Sequence, residues 1–505
     1  MEIRARSVLF NPAADELREF TAAQATAHLT EFGNYDVITT VTARSKGSTF
    51  IVSDEPHKHT DPVISRQAYD ELAAAQDAYI ATRDVIVIDG YIGDHPIARM
   101  RTRLVVERAN ANLAAMQRLL YFPADDSAEP ELTVIYTPSL TAPGFPDDRG
   151  ILVDLEGGVT RVFNADYFGE SKMGGLRMWD AAMYRRGGLA MHSGLKLMAN
   201  GGRRRAGLVV GLSGTGKTTT TFSTAGGGSP VQDDFVALFP GGKVYGTEAG
   251  TFAKVYGLTP DSEPAVWHGA TRPASYLENV AIDAHGKLDW FDSSHTENSR
   301  AVIASSDIPG FVAPAMVDTA DFMLILNRNW NIIPAVARLT KDEAAAYFML
   351  GETQGTSAGG VAEAGKALRV PGTNPFFAYR HEWQGNRLRE LLDTCTLEVF
   401  VLNTGRVGGP DGDERSRKIT PAVSAAIVSA IAHGGIEWTV DPDFGYDVAT
   451  AVPGVDDVEL LQPRLLYQRQ HRATEYAEVV ANLHRERREH LDGYRDLLPE
   501  ISGAV

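Results

Sequence analysis

The stretch Gly207-Leu-Val-Val-Gly211-Leu-Ser-Gly-Thr-Gly-Lys217-Thr218-Thr219 decides the reading of this chain. An apolar run leads into the pattern G-x-x-x-x-G-K-[ST], the setting of a strand that turns through a glycine-rich loop into a helix. Glycines let backbone N–H groups face inward as an anion-binding nest, the lysine neutralises the β and γ phosphates of a nucleotide, and the hydroxyl after it holds Mg²⁺. Gly211, Leu212, Ser213, Gly214, Thr215, Gly216, Lys217, Thr218 and Thr219 are therefore expected to bind a nucleoside triphosphate. The competing reading of the same string is a glycine-rich turn that caps an ordinary helix.

Working outward, Met191-His192-Ser193 opens the segment that leads into this loop, and Pro230-Val-Gln-Asp233-Asp234-Phe235 follows it. Adjacent carboxylates at a strand end are the residue type that holds a divalent ion beside phosphates, the alternative being a polar strand end. His192 is open between a structural histidine and a metal ligand. An imidazole with a carboxylate suits Mn²⁺ better than Mg²⁺ alone, so two metals are expected, with His192, Thr218, Asp233 and Asp234 as the candidate ligands.

Composition narrows the class. A chain of 505 residues, 44% hydrophobic and 22% charged, has room for two or three ordinary globular domains. A formal charge of −17 argues against a general nucleic-acid binder, so an anionic ligand must meet a local cluster of Lys and Arg. The single cysteine, Cys395, excludes an intramolecular disulfide and a cysteine zinc site, fits a reducing compartment, and reads as a buried hydrophobe. No stretch has signal-peptide or membrane-span character, so the expectation is a soluble, cytoplasmic protein with no membrane partner.

Periodicity gives a mixed α/β chain. Helices are expected near Asp15–Phe32, Ser65–Arg83 and Arg101–Leu120, and strands at Tyr35–Val41, Ser48–Val52, Val85–Asp89 and Leu132–Tyr136. Past Met191 the apolar segments become strand-like: Leu208–Gly211, Val231–Phe239, Phe322–Leu326 and Leu397–Leu402. A boundary near residue 190 divides a domain of residues 1–190 from one of residues 191–505 that contains the phosphate loop. Gly226-Gly-Gly, Gly355–Gly360 and Gly408–Ser416 read as loops, Arg203-Arg-Arg205 as a solvated hairpin, His57-Lys-His59 as an exposed loop, and His484–His490 as a charged helix face.

With these strings in order, the chain resembles the ATP-dependent phosphoenolpyruvate carboxykinase family. The resemblance rests on residues 211–218, Asp233-Asp234, Glu248-Ala-Gly-Thr-Phe-Ala-Lys254, Leu277-Glu-Asn-Val280, Glu297-Asn-Ser-Arg300, Arg338-Leu-Thr340 and Asn403-Thr-Gly405. It extends to Thr42-Ala-Arg44-Ser45, Tyr167-Phe-Gly-Glu170-Ser-Lys172, Val452-Pro-Gly-Val-Asp456 and Gln462-Pro-Arg464. It implies a two-domain α/β fold with a mononucleotide-binding C-terminal domain. The implied reaction is oxaloacetate plus ATP giving phosphoenolpyruvate, CO₂ and ADP, with Mg²⁺ on the nucleotide and Mn²⁺ toward the substrate. By position, Arg44 would clamp a substrate carboxylate, Tyr167 would line the carboxylate or CO₂ pocket, and Arg300 would hold substrate and γ-phosphate. Lys172, His192, Lys217 and Asp234 join these as catalytic candidates, and Glu248 joins the nucleotide-binding ones.

The chain departs from that family mainly on the substrate side. Two consecutive lysines in the family, the second a neutral-amine ligand of Mn²⁺, become Lys172 and Met173, and a thioether is a poor ligand for Mn²⁺. The family's Gly-Arg-Ser-Pro-Lys-Asp-Lys becomes Ala43-Arg-Ser-Lys-Gly-Ser-Thr49, which keeps Arg44 and drops other charges. At the adenine site Lys418 stands for an arginine and Ser424 for a threonine, after an apparent insertion at Gly408–Arg417. The phosphate machinery is kept better than the substrate machinery, which leaves a small-molecule kinase with another acceptor as the alternative activity.

Overall fold

A computed structural model describes residues 3–124, 128–212, 214–354 and 367–505. The chain forms two compact units, one of Met1–Arg186, Gly246–Phe311 and Phe376–Arg380, the other of Gly187–Tyr245, Val312–Pro375 and His381–Val505. The architecture is mixed α/β with several sheets. Residues 246–311 and 376–380, on the C-terminal side of the expected boundary, thus pack with the first part of the chain. No helix among the described residues is long and apolar enough to cross a membrane.

The first unit holds a nine-stranded sheet whose interior strands, Asp84–Ile92, Met100–Glu107, Leu132–Thr137 and Val159–Phe163, are built from buried β-branched residues. Across it lies the helix Phe168–Arg185, whose Gly174 carbonyl accepts from the Thr160 hydroxyl of the sheet at 2.9 Å. A Cβ at Gly174 would stand 3.1 Å from the Thr160 methyl, so the glycine permits this close approach. That helix is buried from Phe168 to Met183 and carries Glu170, Lys172, Arg177 and Asp180 inside, so each charge needs a partner. A five-stranded sheet in the same unit runs Gly250–Lys254, Arg300–Ala304, Tyr276–Glu278, Tyr35–Val37, Ala27–Leu29.

The second unit is organised by a ten-stranded sheet. In it Arg203–Val210 pairs antiparallel with Leu189–Asn200 and parallel with Phe322–Asn327, which is in turn parallel to Glu398–Asn403. The carboxyl ends of three parallel strands therefore fall side by side, the usual place for a ligand in an α/β sheet.

Several local expectations are corrected. The stretch 101–120 is a strand, Met100–Glu107, followed by a helix, Ala111–Leu120. Alternating Arg101 and Arg103 both reach Asp89 of the neighbouring strand, and this cross-strand pairing overrides the helical pattern. The first helix stops at Ala22, and Ala27–Leu29 returns as a strand against Tyr35–Val37. The run 231–239 is broken at Asp233-Asp234 into Gly228–Gln232 and Phe235–Phe239. Cys395 is half-buried, not buried. On the helix Ala473–Asp492, Arg487 is fully buried and bidentate to Glu352, so this face is not simply a solvated charged one. Gly355–Gly360 lies outside the described residues.

Candidate active site

In the second unit the strand Arg203–Val210 leads into the loop and then the helix Lys217–Phe222, as the motif requires. Gly214 and Gly216 have φ of 86° and 94°, a left-handed backbone in which a side chain would be strained. Ser213 lies outside the described residues. The loop is held from the two neighbouring strand ends: Thr404 donates its hydroxyl to the Thr215 carbonyl at 2.6 Å, and Arg328 donates to the Gly214 carbonyl at 2.7 Å. Asn403, whose Oδ1 accepts from the N–H groups of Asn329 and Gly405, ties those two ends together. Beneath the helix, Lys196 donates to the carbonyls of Thr220 and Ser223, at the helix end that favours a cation. Burial lowers its pKa to about 8.

Lys217 is buried, with its ammonium 2.8 Å from both the Asp233 carbonyl and Asp234 Oδ1. His192 Nε2 stands 2.9 Å from the same Asp234 oxygen. Register places His192 opposite Phe235, next to the Asp233-Asp234 break, so the break and the histidine converge by strand pairing. The other ring nitrogen, Nδ1, faces the Thr373 carbonyl at 3.3 Å. A carboxylate accepts only, so in this close contact Nε2 donates a proton to Asp234, while Nδ1 makes the longer contact with the Thr373 carbonyl. With that proton gone, an imidazole nitrogen and a carboxylate oxygen this near each other are the donor types that suit a divalent transition ion. Among the described residues no group of three or more His, Cys, Asp or Glu side chains forms a metal cage, so the remaining ligands of such an ion would be phosphate or water. Thr218 is half-buried at the start of the helix, where its hydroxyl suits an Mg²⁺ ligand.

The adenine-side candidates follow from the same strand end. Ile419 N–H donates to the Gly405 carbonyl, which places Lys418 one residue from the group that braces the loop. Lys418 is exposed on the short strand Arg417–Lys418, and Ser424 lies in the first turn of the helix Pro421–His433.

The first unit gathers a different group. The segment 39–45 that carries Arg44 has little regular structure and is clamped by side chains from elsewhere. Asn279 accepts from Thr39 N–H, Asp166 accepts from the N–H groups of Thr40 and Val41, Asn298 donates to the Thr42 carbonyl, and Glu170 accepts from Ser45 N–H at 2.6 Å. Arg44 remains exposed, with its guanidinium 4.8 Å from the Phe376 ring centre, and Arg177 stacks on the same ring at 5.4 Å. Protein around Arg44 lowers its pKa, chiefly by desolvation, yet a guanidinium stays charged in any working range. Arg177 pairs with Glu170 at 3.4 Å.

Phe252, on the strand Gly250–Lys254, is the floor of this group: Tyr167, Lys172 and Arg300 all lie within 6.0 Å of its ring centre. Tyr167 is buried, and burial raises its pKa. Lys172 forms an ion pair of 3.1 Å with Glu248, both side chains being buried. Glu248, expected beside the nucleotide, is thus paired inside the first unit, and Met173 is buried on the same helix as Lys172. The structure therefore draws the sequence candidates into two sets: His192, Lys217, Thr218, Asp233 and Asp234 in one unit, Arg44, Tyr167, Lys172, Glu248 and Arg300 in the other. Sequence reading passed over Thr404, Arg328, Asn298 and Asn279. Three of them stood inside strings quoted for the resemblance, so the signal was present but carried no role.

Comparison with known proteins agrees with these strings. The family model described as phosphoenolpyruvate carboxykinase matches residues 6–458. A protein of Aeropyrum pernix named phosphoenolpyruvate carboxykinase (ATP) is 32% identical over 88% of this chain and 89% of its own length. Proteins of the same name from Caldanaerobacter subterraneus and Rhizobium rhizogenes are each 29% identical over 99% of this chain and cover 98% and 96% of their own lengths.

Proposed function

This chain belongs to the phosphoenolpyruvate carboxykinase family, and we propose that it is an ATP-dependent enzyme that converts oxaloacetate to phosphoenolpyruvate, CO₂ and ADP. The observation that carries the reading is the Lys217 ammonium, placed at the mouth of a glycine loop and anchored on the Asp233 carbonyl and the Asp234 carboxylate. In the reaction the bond to the departing carboxyl group breaks, CO₂ leaves, and the electron pair passes to an enolate oxygen. That oxygen then attacks the γ-phosphorus while the bond to ADP breaks.

Each group has a part in this. Lys217 and the loop N–H groups would hold the β and γ phosphates and balance the charge of transfer. Arg44 would grip a substrate carboxylate and Arg300 the substrate and γ-phosphate, since a guanidinium fork matches both shapes. Thr218 with Asp233 and Asp234 would hold Mg²⁺, and His192 with Asp234 a second ion such as Mn²⁺. When bound, these ions neutralise phosphate and enolate charge. Residues 1–190 would act as the substrate-side domain and 191–505 as the mononucleotide-binding one, with 246–311 and 376–380 serving the substrate side.

A second reading, phosphorylation of a different small-molecule acceptor, draws on one observation: Met173 stands where the family has its amine ligand, while Lys172 is already paired with Glu248. Purified protein with ATP, Mg²⁺, Mn²⁺ and oxaloacetate separates the two. Phosphoenolpyruvate formation supports the carboxykinase reading; ATP turnover only with another acceptor replaces it with the second.

A further inference from the structure

Asn298 is 3% exposed and spends its amide on three partners. Its Oδ1 accepts from Arg300 Nη2 at 2.7 Å, and its Nδ2 donates to the Thr42 carbonyl at 2.9 Å and to the Tyr167 hydroxyl oxygen at 3.1 Å. The amide can sit only this way round. A guanidinium only donates and a carbonyl only accepts, so Oδ1 must face Arg300 and Nδ2 must face Thr42. The Tyr167 oxygen is then an acceptor toward Asn298, and its proton points elsewhere. Among the described residues that hydroxyl donates no hydrogen bond, although Tyr167 is only 1% exposed. Arg300 Nε on the same hub is likewise buried without a partner among the described residues. Buried donors are almost always satisfied, so two unspent donors around one fixed amide point to an anionic ligand.

We propose that Asn298 is a positioning residue that sets the Tyr167 hydroxyl as an obligatory hydrogen-bond donor to a substrate carboxylate, and orients Arg300 with it; this rests on the reaction assigned above. Arg44 is brought into the same arrangement, because the Thr42 carbonyl held by Asn298 lies two residues before it. One amide thereby keeps three anion-directed groups in register, a task in which a displacement of about 1 Å is costly.

A double-mutant cycle tests this, with Tyr167→Phe made in the parent, in Asn298→Asp and in Asn298→Ala. A carboxylate at 298 accepts the phenolic proton and withdraws it from the ligand, and alanine leaves the hydroxyl free to rotate. In the parent, Tyr167→Phe is expected to lower kcat/KM for oxaloacetate about tenfold. In the Asn298→Asp protein it should cost less than about twofold, and in the Asn298→Ala protein an intermediate amount, because coupled residues are not additive. ATP affinity should not move in any of them. If Asn298→Asp fails to fold, Asn298→Ala decides. A full tenfold penalty in every folded background overturns the proposal, since Asn298 would then be only a scaffold residue.

The same cycle read on oxalate affinity by calorimetry needs no turnover. A parent that makes no phosphoenolpyruvate yet shows the coupling on oxalate keeps the role of Asn298 and discards the oxaloacetate reading. A parent that turns over but shows no coupling in either measurement does the reverse.

Discussion

The two units hold their functional charges by different means. In the second, the phosphate loop is braced from the ends of paired strands: Arg328 and Thr404, each one residue past its strand, donate side-chain bonds to the carbonyls of Gly214 and Thr215, and Lys217 anchors partly on a carbonyl. In the first, Arg44 is placed by carboxylate and amide side chains from three distant segments, 166–170, 279 and 298. Side chains clamp backbone groups in both, but in the second unit strand register carries the clamping residues to the loop. In the first the clamps come from separate segments, so the site is only as secure as each of them. The departures from the family, Met173 and the altered residues after Arg44, fall in the first unit.

The largest effect is expected at Lys172. Its pair with Glu248 is buried on both sides, and removing one member of such a pair strands the other, at a cost of about 3–5 kcal/mol. Lys172→Met should therefore lower stability sharply in a denaturant melt, and the double variant Lys172→Met with Glu248→Gln should regain much of it. An unchanged melting midpoint with loss of the Mn²⁺ response would instead make Lys172 a metal ligand and cancel its structural part in the comparison.

Lys217→Ala removes the ammonium at the loop and should cost about 10²-fold or more in turnover with the fold intact. Near-normal turnover would take the phosphate loop out of the mechanism. Arg44→Gln is the matching change in the first unit. It should weaken carboxylate binding by about 1.5–3 kcal/mol and leave ATP affinity unchanged. A drop in ATP affinity with substrate binding intact would break the division of labour between the units.

This division also explains what the sequence could disclose. The phosphate loop was legible because its chemistry is local: nine consecutive residues supply turn, cation and hydroxyl, and one flanking strand confirms them. Arg44 and Arg300 were reachable only through the resemblance, since they are 256 positions apart in the chain and meet through Asn298. The helix expected at 101–120 failed for a related reason. Asp89 selects strand geometry for Arg101 and Arg103, and that partner is invisible to local periodicity. Arg487 reads as a surface charge for the same cause, as Glu352 lies 135 positions away. Thr340, inside a string shared with the family, proved to be the cap of the helix Lys341–Leu350 with Glu343 closing the box, so a shared string does not by itself mark a functional residue.

The smallest expected effect concerns buried carboxyls, where the units differ in sign. Glu352 in the second unit is pushed up by burial, but Arg487 and Arg369 outweigh this and hold it below the usual range. It supports folding at neutral pH, and that support is lost as pH falls through its lowered pKa. Asp36 in the first unit has one oxygen on Val280 N–H and the other without a partner among the described residues, and burial pushes its pKa up to about 7 against that hydrogen bond. An unfolded aspartate titrates near 3.9, so between about pH 4 and pH 7 the folded chain holds a proton that the unfolded chain has lost. Stability from Asp36 is thus complete below about pH 4 and disappears as pH rises through 7. The carboxylate then costs of the order of 4 kcal/mol, while an amide in its place would bury an unpaired N–H₂ at about 1–3 kcal/mol. Asp36→Asn should therefore stabilise the protein by about 1–3 kcal/mol at pH 8 and give no gain at pH 4. Denaturant melts across that range check it, with Glu352→Gln expected to show its largest loss at pH 8 and a narrowing gap in acid. A difference between Asp36→Asn and parent that stays constant from pH 4 to pH 8 would mean that Asp36 titrates normally, and the two units would then handle their buried acids alike.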